Sequence, residues 1–250
     1  MTNPPGSSGP GPVEVCVVGS INEDLVVPVA SHPDPGETVL GGDWFANAGG
    51  KGANQAVAAA RLGRRVAFVG CVGSDPAGQH LVDGLAAEGI DVDAISAVDA
   101  PTGRAFITVD DAAENRIVVS PGANARLTAE MVAQASVVAD AGVVLVQLEV
   151  PFQAVRASIA SATGRVVFNP APAPTEPLSA ADLDGVFCCV PNRGELCQML
   201  GVGDQPGTGD DDALVDLARQ LPVPAVVVTL GPRGALVVTG DSAELSLIHI

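Results

Sequence analysis

The 250 residues contain no tyrosine and a single tryptophan, and aromatics make up 3% of the chain. So few rings leave no stacking platform for single-stranded bases. Basic side chains are scarce too: 12 Lys and Arg stand against 29 Asp and Glu, a net charge of −17. Nucleic acids and anionic membrane surfaces are both held through Lys and Arg, so neither is the expected partner. Phosphate ligands remain open, because backbone N–H groups at a helix N-terminus bind them without basic side chains. No apolar run reaches the ~18 residues that a membrane helix needs. The opening MTNPPGSSGPGP has neither the basic nor the apolar region of a secretion signal.

The five cysteines (Cys16, Cys71, Cys188, Cys189 and Cys197) are odd in number and show no C-x-x-C or zinc spacing. Three of them sit in apolar strand-like runs and read as small core residues, which fits a protein of the reducing cytoplasm. His32, His80 and His249 are scattered, which supports neither a metal site nor a Ser-His-Asp hydrolase.

What is abundant is aliphatic: hydrophobic residues are 47% and charged residues 16%, enough for a sizeable core in one or two domains. After a Pro/Gly/Ser-rich stretch over 1–12, expected to be disordered, VEVCVVGS at 13–20 reads as a strand buried on both faces. Short strands are predicted over 25–30 and 37–46, then an Ala-rich helix over 51–62 ending at Gly63. The pattern continues with a strand at 65–73, a helix within 75–89, and a strand pair over 102–110 and 116–120. A helix over 128–139, a strand at 142–148 and a helix over 151–162 follow. The last elements are strands at 166–168 and 186–190, helices over 194–200 and 211–221, and strands at 225–230 and 235–239. Strands alternating with helices predict a three-layer α/β/α sandwich around a mostly parallel sheet. The two early strand pairs lack intervening helices and are assigned to a small β lid.

Open sheets of this kind bind ligands beyond the carboxyl ends of their strands. Asn22 and Asp24 follow the first strand; an amide and a carboxylate facing one side suit vicinal hydroxyls, or form a solvated turn. The Gly-rich segment Gly49, Gly50, Lys51, Gly52, Ala53, Asn54 opens a helix. It fits neither a Walker A loop nor G-x-G-x-x-G after a strand. It either lets a ligand approach the backbone or is merely flexible. Glu149 ends a strand, aimed into the crevice or complementing the dipole of the helix that follows. Asn192 and Glu195 form a capping-box pair or stand near phosphate and hydrated Mg²⁺. Thr229 to Gly234 is a tight turn, lining a nucleotide or closing a hairpin.

Together these segments resemble the ribokinase (PfkB-type) carbohydrate kinase family. The resembling stretches, in order, are GSINEDLV, PGET, GGKGANQAVAAARLG, TGRAFI, GAN at 122–124, QLEVP, NPAPA, PNRGE and TLGPRG. The resemblance implies a ribokinase-like fold with a lid that pairs across a homodimer. It also implies transfer of the γ-phosphoryl group of ATP to the primary hydroxyl of a pentose, D-ribose being the first choice. On it, Asn22 and Asp24 hold sugar hydroxyls, Gly50, Lys51, Gly52, Ala53 and Asn54 line the same sugar, and Glu149 orients it. Asn192 lies near phosphates, Glu195 reaches Mg²⁺ through water, and Thr229, Leu230, Gly231, Pro232, Arg233 and Gly234 border the nucleotide. ATP, Mg²⁺ and, for a full-length protein, K⁺ are the implied cofactors.

One part of the family's pattern is missing. No D-T-x-G-A-G-D type loop, which would carry the catalytic Asp, follows Gly234, and the monovalent-cation loop is missing as well. No other carboxylate is assigned the role of base. Residues 245–250 (LSLIHI) are what a transposon-end sequencing adapter encodes when read in frame. The expectation is a kinase domain over 13–244, with lid strands within about 24–46 and 102–120, followed by a non-native tail and inactive as it stands. The alternatives are a PfkB-type kinase for another sugar or a nucleoside, or a non-catalytic sugar-binding protein.

Overall fold

A computed structural model describes residues 12–203 and 210–246. The expected N-terminal tail up to residue 11, His249 and the end of the expected foreign tail lie outside the described residues. The body is a nine-stranded sheet. In chain order its strands are β1 (Val15–Val18), β4 (Val66–Gly73), β5 (Asp91–Val98), β8 (Val143–Gln147), β9 (Arg165–Asn169), β10 (Val186–Cys189), β11 (Ala225–Thr229), β12 (Ala235–Thr239) and β13 (Ser242–Ser246). They lie side by side as β13-β12-β11-β10-β9-β8-β1-β4-β5. From β11 to β5 every pairing is parallel, while β12 and β13 are antiparallel additions at one edge.

The strand β1 lies between β4 and β8, with Val15 opposite both Val66 and Val143. All four of its residues are buried, because alternate side chains serve two cores. Val15 and Val17 pack under helices α1 (Lys51–Arg61) and α2 (Pro76–Ala87). Cys16 and Val18 face the other layer. That layer holds α3 (Ala129–Gln134), α4 (Ser136–Asp140), α5 (Phe152–Ser161), α6 (Arg193–Leu200) and α7 (Asp211–Ala218). This is the predicted three-layer α/β/α sandwich.

The lid is a separate four-stranded sheet in the order β3-β2-β6-β7, formed by β2 (Asn22–Pro28), β3 (Phe45–Gly49), β6 (Gly103–Val109) and β7 (Asn115–Ser120). The two expected strand pairs join into one sheet because β2 pairs in parallel with β6, Asn22 opposite Gly103.

The structure corrects several expectations. The second lid strand is not 37–46 but Phe45–Gly49; residues 37–44 form no strand, and Gly42 N–H meets the lid only at Pro28 O, 2.8 Å away. The helix predicted over 128–139 is two short helices, broken where Ala135 adopts φ −81° and ψ 90°. Two strands, β5 and β13, were not anticipated. Leu245 and Ser246, the first residues of the expected foreign tail, pair in β13 with Leu236 and Ala235.

All five cysteines are free thiols; Cys188 is half-buried and the others are buried. Burial, with Asp91 adding to it, pushes the Cys16 thiol up to about 12. Burial raises Cys71 to about 11 and Cys189 to about 12. These thiols stay protonated and act as small apolar side chains. Among the described residues no helix is long and apolar enough to cross a membrane.

Candidate sugar and nucleotide site

The crevice is built where β1 ends and α1 begins. Gly50, at the N-cap of α1, has φ 94°, and a Cβ there would stand 2.9 Å from Asn22 N and from Ser20 O. Only glycine takes this conformation without strain. A Cβ on Gly52 would stand 2.6 Å from Ser20 N, and one on Gly49 would overlap the Asp24 carboxylate. The small residues therefore make room for the chain itself: the helix start packs onto the turn after β1, and Asp24 lies across Gly49.

Gly50 supplies no side-chain cap. The cap comes from Glu149, just past the end of β8, the neighbour of β1. One oxygen of Glu149 accepts the Ser20 hydroxyl at 2.6 Å and the Lys51 backbone N–H at 3.0 Å. Ser20 Oγ in turn accepts the Gly52 N–H at 3.3 Å, and Ser20 O accepts the Ala53 N–H at 2.9 Å. Glu149 thus makes its hydrogen bonds at the start of α1, while α5, with Pro151 at its N-cap, has no side-chain cap.

Asn22 and Asp24 lie two apart on β2 and share a face of the lid strand. Burial, and next the Glu149 charge, raise the Asp24 carboxyl above its ordinary value. Two carboxylates therefore converge on one crevice, with the half-buried Lys51 at its edge. Asn54, one turn along α1, is exposed and stands apart. It lines a cleft of about 350 Å³ between α1 and α2, with Ala48 and His80.

The second half of the crevice lies at the carboxyl ends of β10 and β11. Asn192 caps α6: its Oδ1 accepts the Glu195 N–H at 2.9 Å, and the Glu195 carboxylate accepts the Asn192 N–H at 2.7 Å. The capping-box alternative is therefore observed. Asn192 also bridges Thr229 in parallel, and the Thr229 N–H donates to Pro191 O at 2.9 Å. The segment after Thr229 closes an antiparallel hairpin through a 3-10 turn, Gly231–Arg233. Within it Leu230 N–H donates to Gly234 O at 2.8 Å. Gly231, Pro232 and Arg233 are exposed, and Gly234 is buried. Arg233 pairs with Asp211, at the start of α7, at 3.0 Å. Among the described residues no three His, Cys, Asp or Glu side chains gather to hold a metal ion.

Several residues of the site had no role in the sequence reading. Ser20 is one. A row of amides is another: Gln147 Nε2 donates to Gln55 Oε1 at 2.6 Å, Gln55 to Asn169 at 3.3 Å, and Asn169 to Val190 O at 2.8 Å. The row crosses the carboxyl ends of β8, β9 and β10 and joins the two halves of the crevice. Asn124 is a third. Its Nδ2 donates to Asn22 Oδ1 at 2.7 Å, although nothing near residue 124 in sequence points to residue 22.

Residues 13–246 match the pfkB family carbohydrate kinase pattern. A ribokinase from Haemophilus influenzae is 41% identical over 229 residues, which are 88% of this chain and 73% of that protein. The structure of ribokinase from Giardia lamblia superposes with a TM-score of 0.85 at 31% identity, over 96% of this chain and 76% of that one. That of Arabidopsis thaliana ribokinase complexed with ribose and ATP gives 0.79 at 27% identity, over 95% and 78%.

Proposed function

The chain belongs to the pfkB family of carbohydrate kinases, and from that premise we propose that its crevice binds D-ribose and ATP for phosphorylation of the sugar 5-hydroxyl. The observation that carries this reading is the Glu149 carboxylate, held by Ser20 and the start of α1 beside Asp24. A polyol meets there two carboxylates that accept O–H bonds and an amide that completes the set.

Phosphoryl transfer has a loose transition state, so the protein's contribution is positioning and charge stabilisation. Asn22 and Asp24 orient the sugar from the lid and Glu149 from beyond the end of β8, with Gly50, Lys51, Gly52 and Ala53 around it. Asn192, Thr229 and the turn from Leu230 to Gly234 border the nucleotide at the ends of β10 and β11. Mg²⁺ keeps much of its water shell and arrives on substrate phosphates. That fits a site without a clustered ligand set, and Glu195 would meet the ion through water. No residue of this chain is assigned to K⁺ or to the catalytic base.

We also propose that the lid pairs two copies of the chain. On one lid face Leu25, Val27, Trp44, Phe106 and Val118 line a groove of about 400 Å³. Trp44 is 66% exposed, Phe106 50% and Val118 68%. A second copy presents the same apolar face, as a two-fold contact requires.

The test is calorimetric titration with D-ribose and with ATP–Mg²⁺, alongside an assay for ribose-dependent ADP release. The reading expects both ligands to bind and ribose binding to vanish in Asp24→Asn. A folded chain that binds neither would overturn it.

A further inference from the structure

Asn124 is 1% exposed in the 3-10 turn Gly122–Arg126, where the chain returns from the lid to the body. The orientation of its amide follows from chemistry alone. The Ile21 backbone N–H can only donate, so the atom that it meets at 2.9 Å is Oδ1. The Ile21 carbonyl can only accept, so the atom 3.1 Å from it is Nδ2. The second hydrogen on that nitrogen is directed at the Asn22 side chain, 2.7 Å away. The Asn22 atom in that place must accept, and is therefore Oδ1. The Asn22 NH₂ group faces the other way, and no acceptor among the described residues meets it. A glycine is needed beside the pair: a Cβ on Gly103, at the start of β6, would overlap both Asn124 Nδ2 and Asn22 Oδ1.

We propose that Asn124 is a positioning residue that locks Asn22 as a hydrogen-bond donor toward the ligand. This rests on the reading of Asn22 and Asp24 as the sugar site and says which half of each polar contact each supplies. Asn22 gives N–H to a sugar oxygen, while Asp24 takes O–H from its neighbour. Vicinal hydroxyls satisfy both, because a hydroxyl donates and accepts. A ligand with an ammonium group facing Asn22 would be rejected, because neither side then has an acceptor.

The discriminating variant is Asn124→Asp. A carboxylate still accepts the Ile21 N–H but donates nothing. Asn22 then turns its NH₂ toward residue 124 and presents Oδ1 to the sugar. D-ribose binding, measured by calorimetry, is expected to weaken at least about tenfold, because the hydroxyl that accepted the Asn22 N–H can meet Oδ1 only by withdrawing its single O–H from another partner. Asn22→Ala is expected to cost about tenfold in the natural background and less than about twofold beside Asn124→Asp, since the donor is already lost. Equal costs in both backgrounds, or an unchanged affinity of Asn124→Asp, would overturn the proposal.

A second readout needs no sugar and no variant: hydrogen exchange of the side-chain amides, followed by NMR in the free natural chain. The Asn124 NH₂ is expected to be protected and the Asn22 NH₂ to exchange freely; the reverse pattern would overturn the assignment. If the natural chain binds no pentose, the sugar reading falls by itself, and the exchange pattern still decides the role of Asn124. If Asn124→Asp fails to fold, that same pattern decides.

Discussion

Ser20 and Glu149 are 129 positions apart in sequence, yet the serine hydroxyl donates to the carboxylate at 2.6 Å. With the Lys51 N–H on the same oxygen, this bond ties the end of β1, the start of α1 and the end of β8 into one corner. Replacing Glu149 by Ala leaves the α1 N-terminus without its cap and Ser20 without its acceptor. The expected loss is about 2 kcal/mol of stability in urea unfolding, with ribose binding abolished. Glu149→Gln, which keeps an acceptor oxygen, is expected to lose less.

Asp24 is expected to show the opposite balance. Its carboxyl is raised by burial and by Glu149, so the folded state holds its proton more tightly than the unfolded chain does. Stability from this group therefore falls as pH rises from the ordinary carboxylate range through the raised folded value. Asp24→Asn removes that cost. The variant is expected to unfold at a higher temperature than the natural chain at pH 7, with the gap closing toward pH 3, while losing its affinity for ribose. A variant less stable at pH 7 would contradict the account.

Asp75 works with the other sign. Burial alone would raise its carboxyl, but Thr102, through its hydroxyl and its N–H, the Gly78 N–H and the Arg104 charge together lower it. It caps α2 through Gly78 at 2.8 Å and holds Thr102 N and Oγ1 at 2.9 and 2.6 Å, where the chain crosses into the lid. Its stabilisation is present above the ordinary carboxylate value and is lost as pH falls through the lowered one. Asp75→Ala is expected to cost about 2 kcal/mol near neutral pH, and markedly less in unfolding curves taken near pH 2.

For the lid, Val118→Asp places a charge on an exposed apolar face without touching the crevice. Sedimentation is expected to show a dimer for the natural chain and a monomer for this variant, with ribose affinity changed less than about threefold. A natural chain that stays monomeric at high concentration would remove the lid proposal.

The main architecture was legible because β1, β4 and β8 are continuous apolar runs and α1 is an Ala-rich segment ending at Gly63. The strand β5 was missed because it is an edge strand whose Asp91 and Asp93 interrupt the apolar pattern. The strand β13 was missed because every one of its residues is exposed. At the site, the glycines, Asp24 and Glu149 could be picked out as residue types at strand ends. Their mutual roles could not: Glu149 caps a helix that starts 98 positions before it, and Asn124 reaches 102 positions back to Asn22. Such pairings depend on which strands become neighbours, which local sequence does not encode.

The most direct test of the central claim is calorimetric titration of the chain with D-ribose, paired with Asp24→Asn. The account predicts one sugar per chain, with the heat of binding lost in the variant. A folded chain that gives no heat with ribose, or a variant that binds as tightly, would contradict it.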